Sequence, residues 1–175
     1  MKKLVLMLAL TAASVSFASA QGRFSVGPEV AIPMSDFGDL VGVGIGGSLR
    51  YEAPINENLS WMGTVGFISF GKKSFDDGFG GEYDFSATII PIQAGLKYYF
   101  TESFSGFYAG AELGANLVKG KASGDGVSVS DSETKFGFAP QVGYHLSVID
   151  ISARYQIISD SNYVGFRLAY VFGGK

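Results

Sequence analysis

Eight charged residues carry whatever chemistry this chain has room for, and they share a phase. Glu29, Arg50, Glu52, Lys97, Glu112, Asp150, Arg154 and Arg167 all stand in stretches where large apolar residues alternate with small or polar ones, and always on the small side. Four acids and four bases on one side suit mutual neutralisation, because a lone charge taken out of water is costly and a paired one is tolerable. The same set read functionally would be a gated ion path. His145 is the only histidine, and a tight turn would bring it close to Asp150. No outward-facing nucleophile–base pair is found in the chain, so a structural lumen histidine is the better reading. The absence of cysteine removes disulfides, thiolate metal sites and thiol nucleophiles. Asp76-Asp77-Gly78 and Asp125-Gly126 lack the regular oxygen spacing of a calcium loop and read as turn formers. No metal and no cofactor is expected. Phe75, Phe79 and Tyr83 stand among acids, and exposed rings of this kind bind partners; the plainer alternative is that they pack on the rim of the fold.

The elements that must position these residues are strands. In Tyr163 to Phe172, Val164, Phe166, Leu168, Tyr170 and Phe172 alternate with Tyr163, Gly165, Arg167, Ala169 and Val171. A strand sends alternate side chains to opposite faces, so one face is large and apolar and the other small, with a charge at its centre. The same alternation predicts strands over 24–32, 41–52, 59–70, 86–100, 107–118, 135–146 and 149–158. Pro28 is a mild objection to the first, since it cannot donate to a ladder. In the second, Val41, Val43, Ile45, Leu49 and Tyr51 oppose Gly42, Gly44, Gly46, Ser48, Arg50 and Glu52. The third has an unclear phase, because Met62 and Ile68 fall out of step. Between them, 34–40 reads as a loop, 72–84 as a longer polar loop and 119–133 as the longest. Eight strands in meander order, with long and short connections alternating, predict an all-β, eight-stranded antiparallel up-and-down barrel.

Two such barrels compete: a soluble one, apolar inside, and a transmembrane one, apolar outside. A water-exposed strand face should carry many Lys, Glu and Thr. Here the polar face is dominated by glycine, with Lys97 its only clear lysine, which suits the cramped interior of an eight-stranded barrel. Phe24, Tyr51, Trp61, Tyr98, Phe100, Phe107, Tyr144, Tyr170 and Phe172 fall at one height on different strands, as in the aromatic girdle of a membrane barrel. Lys2 and Lys3, an apolar run over 4–13 and Ala18-Ser19-Ala20 have the pattern of a secretory signal peptide cut after Ala20. The expected organisation is therefore a signal peptide at 1–20 and a barrel domain at 21–175. Losing Lys2 and Lys3 leaves 11 of the 13 basic residues against 16 acidic ones, a charge of about −5. Such a chain is a poor ligand for nucleic acid. An eight-stranded lumen is too narrow for an open channel.

With these patterns in place, the chain resembles the small outer-membrane barrels of the OmpX and OmpA-domain type. IPIQAGLKYYF (Ile90 to Phe100) and the ending LAYVFGGK look like the outer-membrane β-barrel family common in Bacteroidetes, and the resemblance covers the mature chain. Many such barrels end on the final aromatic, whereas Gly173, Gly174 and Lys175 follow Phe172 here. His145-Leu146-Ser147 superficially resembles the His-x-Ser of lipid A deacylase barrels. That family also needs a glutamate on the following strand, and none occurs after Glu133. Palmitoyltransferase barrels need an outer-surface histidine that is absent. The resemblance implies a non-enzymatic protein of the Gram-negative outer membrane, with loops for interaction or envelope integrity. Its implied partners are outer-membrane lipid and lipopolysaccharide, the outer-membrane assembly machinery and an extracellular protein reached through the loops. A lipid-modifying enzyme or a narrow solute conduit is the alternative.

Overall fold

The computed structural model describes residues 22–76, 82–101, 104–124 and 127–173. The proposed signal segment lies outside them. Eight strands form one closed antiparallel barrel in chain order: β1 (Arg23–Pro33), β2 (Gly44–Pro54), β3 (Leu59–Asp76), β4 (Glu82–Tyr99), β5 (Gly106–Gly124), β6 (Val127–Leu146), β7 (Ile149–Ile158) and β8 (Tyr163–Gly173). β1 closes against β8, pairing Phe24 with Phe172 and Glu29 with Arg167. Closure is what lets this sheet stand without free edges along its wall. Both described termini, the turns 55–58 and 147–148, and residues 100, 101, 104 and 105 between β4 and β5 lie at one end, here called the terminal end. The opposite strand ends, from Pro33 and Gly44 to Ile158 and Tyr163, form the far end.

The apolar side of each strand faces outward. Ile45, Phe67, Leu113, Val142, Ile151 and Leu168 are all more than half exposed, the reverse of a soluble core. The girdle is contiguous in part: Trp61, Tyr51, Phe24 and Phe172 follow one another at ring separations of 5.4, 4.7 and 6.0 Å. Phe107 meets Tyr144 at 4.7 Å.

Three features depart from the sequence reading. First, 34–40 contains a helix, α1 (Ser35–Leu40). Phe37 and Val41 are buried in an apolar cluster with Ile68, Phe70, Ile89, Ile158 and Tyr163. Val41 therefore faces inward, and β2 begins at Gly44. Met62 and Ile68 are in step after all, because the even positions of β3 point into the barrel and both are fully buried. Second, most of the two supposed long loops is strand. β3 and β4 pair out to Asp76 and Glu82, and β5 and β6 to Gly124 and Val127. Third, each proline inside a strand leaves a two-residue gap on one side only. Pro28 pairs with Gly47, yet the β1–β8 register skips from Val26 to Glu29. Pro91 and Pro140 do the same against β3 and β7. A proline has no N–H to donate, so one ladder is interrupted while the other holds.

Candidate functional site

The lumen is built by the inward phase of all eight strands. Glu29, Arg50, Glu52, Lys97, Glu112, Asp150, Arg154 and Arg167 are each between 0 and 6% exposed. A ninth charge joins them: Arg23, whose odd position extends the inward phase of Ser25, Gly27 and Glu29 by one step beyond the strand start read from sequence. With it the interior holds five cations and four anions.

The charges fall into linked groups. Nearest the terminal end, Lys97 Nζ lies between Glu52 (3.1 Å) and Asp150 (3.0 Å) and 3.7 Å from the centre of the Tyr108 ring, a cation–π contact. Arg23 binds the other oxygen of Glu52 at 2.8 Å. Ser60 and Tyr99 donate their hydroxyls to the same carboxylate at 2.6 and 3.2 Å, and Tyr108 donates to Asp150 at 2.9 Å. In the middle, Arg50 meets Glu112 at 3.3 Å, and Glu112 also accepts from Thr64 (2.5 Å) and Gln141 (3.1 Å). Arg167 donates to Ser48 and Ser25 and lies 3.6 Å from Asp150. Toward the far end, Arg154 pairs with Glu29 at 3.0 Å and donates to the Tyr163 hydroxyl at 3.1 Å.

Both mouths are stopped. At the far end the apolar cluster around α1 sits over the charges, with Phe37 on Phe70 at 4.9 Å and Phe70 on Tyr163 at 5.6 Å. Lys73 Nζ donates to Gly38 O at 2.6 Å, tying the helix to β3. At the terminal end the β4–β5 turn folds inward. Phe104 O accepts from Arg23 at 3.0 Å, and its ring meets Tyr99 at 5.5 Å. His145 pairs with Asp150 in register, but its Nδ1 lies 2.6 Å from Phe104 O and 3.2 Å from Arg23. The imidazole thus helps to close the mouth. The cavity among Arg23, Glu52, Lys97, Tyr99, His145 and Asp150 has a volume of about 10 Å³, room for one water. A wider concavity, about 590 Å³, lies on the apolar outer wall between Val30, Phe107, Ile151 and Phe166, away from the charges.

Glycines make the interior possible by close approach. A Cβ at Gly95 would sit 1.9 Å from Ala111 O, and one at Gly46 1.9 Å from Phe67 O; neither position has room for a side chain.

Beyond the wall, β3–β6 continue as a four-stranded sheet. Its backbone includes Phe75, paired with Tyr83. Phe79 lies outside the described residues, as do the side chains of Phe75 and Tyr83 and the two Asp-Gly turns. Among the described residues no group of His, Cys, Asp and Glu is arranged to hold a metal ion.

Sequence reasoning missed Arg23, Tyr99's closing role and the α1 stopper. Phase could have found the first. Nothing local to 34–41 announces that its apolar residues turn back into the barrel.

A closed barrel with a charged, stoppered interior and an apolar outer wall is the architecture of a β-barrel membrane protein. Residues 4–172 match the family model described as outer membrane protein beta-barrel domain, and the chain belongs to that family. Among solved structures it is similar to Ail, the attachment invasion locus protein of Yersinia pestis. The TM-score is 0.60 at 20% identity, over 88% of this chain and 99% of that one. The same Yersinia pestis protein in complex with the heparin analogue sucrose octasulfate gives a TM-score of 0.59 at 22% identity, over 87% and 99%. These likenesses are of fold. No curated protein sequence matches the chain.

Proposed function

We propose that this is a non-enzymatic surface protein of the Gram-negative outer membrane: a sealed barrel that anchors a projecting sheet for interaction or envelope integrity. On this reading residues 1–20 are removed on export, the terminal end faces the periplasm and the far end faces outward.

One observation carries the reading. β1, β2, β7 and β8 have 10 or 11 residues, the length that spans a bilayer as tilted strand, roughly 9–11. β3–β6 have 18 to 20. The excess, at ~3.3 Å per residue, is roughly 25 Å of sheet that the membrane does not need. From Val127 to Phe136, β6 pairs with β5 alone, since its first β7 partner is at Gly137. That edge offers free N–H and C=O groups to an extended segment of a partner. The stopped lumen argues against the conduit alternative, and the nine interior charges are engaged with one another rather than exposed to a substrate.

The chain has no cysteine, so single introduced thiols give a clean test. Ser128→Cys should react with a membrane-impermeant maleimide on intact cells, and Glu57→Cys only after permeabilisation. The reverse pattern would overturn the orientation, and labelling of both only after lysis would overturn surface display. In planar bilayers the purified protein should give no stepwise conductance; a steady ohmic step would revive the conduit.

A further inference from the structure

The outward wall carries a charge pattern that neither the lumen nor the sheet edge uses. Of the cations among the described residues, Arg23, Arg50, Lys72, Lys97, Lys135, Arg154 and Arg167 each have a carboxylate partner, and Lys73 donates to a backbone carbonyl. Lys119 and Lys121 have neither, and both are exposed. They stand two residues apart on β5. Val118, the residue before Lys119, packs against the inner apolar cluster, so on alternating strand phase both lysines point outward, away from the barrel axis.

Their height is fixed by the strand they share. On β5 the outward residues run from Phe107 in the girdle through Ala109, Ala111, Leu113 and Ala115 to Leu117, then Lys119 and Lys121. Ten residues from Phe107 to Leu117 at ~3.4 Å each, tilted by about 40°, rise roughly 26 Å, which matches an apolar band about 25 Å tall. Lys119 is therefore the first side chain above the hydrocarbon. Its cross-strand neighbours are Thr88 and Ser132, and those of Lys121 are Ser86 and Ser130. Even positions on β4 and β6 share this outward face, so two ammonium groups are framed by four hydroxyls. The acid on this face among the described side chains, Asp84, is already held by Lys72 at 3.0 Å and Ser74 at 2.7 Å.

We propose that Lys119 and Lys121 seat a phosphate group of an outer-leaflet lipid headgroup, with the neighbouring hydroxyls as further donors. Two unpaired cations with hydroxyl donors recognise a phosphate by charge-assisted hydrogen bonds. Their lateral aim, at the edge of the apolar band, selects a phosphate carried by a membrane lipid over a ligand approaching from the medium. The inference rests on the outward assignment of the far end, but its test does not depend on orientation.

Folded protein in a zwitterionic detergent is offered bisphosphorylated lipid A, and retained lipid is counted by native mass spectrometry. The wild type should retain it in preference to dephosphorylated lipid A. Lys119→Gln/Lys121→Gln should lose about thirtyfold in apparent affinity, taking roughly fivefold per lysine at a charged membrane surface. Lys72→Gln, whose charge is already neutralised, should change little. Folding of each variant is verified by the gel shift between boiled and unboiled samples, and the single variant Lys121→Gln serves if the double one misfolds. Equal retention by the double variant, equal retention of dephosphorylated lipid A, or full displacement by millimolar inorganic phosphate would each overturn the proposal. Outside labelling of Ser128→Cys alongside a null result here would leave the surface reading standing and remove this one alone.

Discussion

The Arg50–Glu112 pair offers the sharpest test of a dry, braced lumen. It joins β2 to β5 across the barrel at 3.3 Å, with side chains 2 and 0% exposed. Glu112 is the carboxylate that Arg50 contacts. Arg50→Met leaves Glu112 buried with the Thr64 hydroxyl and Gln141 amide as its remaining donors, and Glu112→Gln leaves a guanidinium without a counter-charge. Breaking a buried pair from one side costs about 3–5 kcal/mol, whereas replacing both partners by residues of similar volume is often neutral. Each single substitution should therefore destabilise by about 3–5 kcal/mol, while Arg50→Met/Glu112→Gln should fall within ~2 kcal/mol of wild type. Urea unfolding in lipid vesicles can be followed by Trp61, the only tryptophan, and by the boiled-against-unboiled gel shift. The double-mutant cycle then reads the coupling directly. Singles that cost under ~1 kcal/mol, or effects that simply add, would mean that water screens the pair, and the sealed-lumen argument would fail.

Other consequences can be checked with the same gel. Gly95→Val should give no folded band, because its Cβ would meet Ala111 O at 1.9 Å, whereas Gly120→Val, with nothing within 4 Å, should fold normally. Phe37→Ala should cost about 3 kcal/mol, the low end for deleting a buried ring, by thinning the far-end stopper. The Lys72–Asp84 pair is exposed, so Lys72→Gln should leave the unfolding midpoint nearly unchanged. The Ser74 hydroxyl and Lys72 hold the Asp84 carboxyl below its usual range. Its small contribution is therefore present above the unfolded-state pKa and lost as the pH falls through the folded one. A pH titration of Asp84 by NMR reads that direction.

What the sequence determined by itself is the two-faced strand. Alternation is a local property with period two, and the strands could be read without knowing their neighbours, the phase of β3 alone staying ambiguous. It separated Phe166 and Leu168 from Arg167, marked the girdle, and put eight of the nine interior charges on the small-residue face, Arg23 being the one it missed. What it could not determine is which charges meet. Arg50 reaches Glu112 three strands away, and Lys97 reaches Glu52 and Asp150 on different strands, because barrel closure and register bring them to one height. Closure is a property of the whole chain. The projecting sheet was hidden for a related reason. Where both faces of a strand meet water the apolar alternation is lost, so 119–133 carries Lys, Ser, Asp and Glu and resembles a loop by composition, while β5–β6 pairing keeps 119–124 and 127–133 extended. The stopper was hidden because Phe37 and Val41 obey no strand phase. They are buried because α1 bends back over an opening that exists only when eight strands have closed around it.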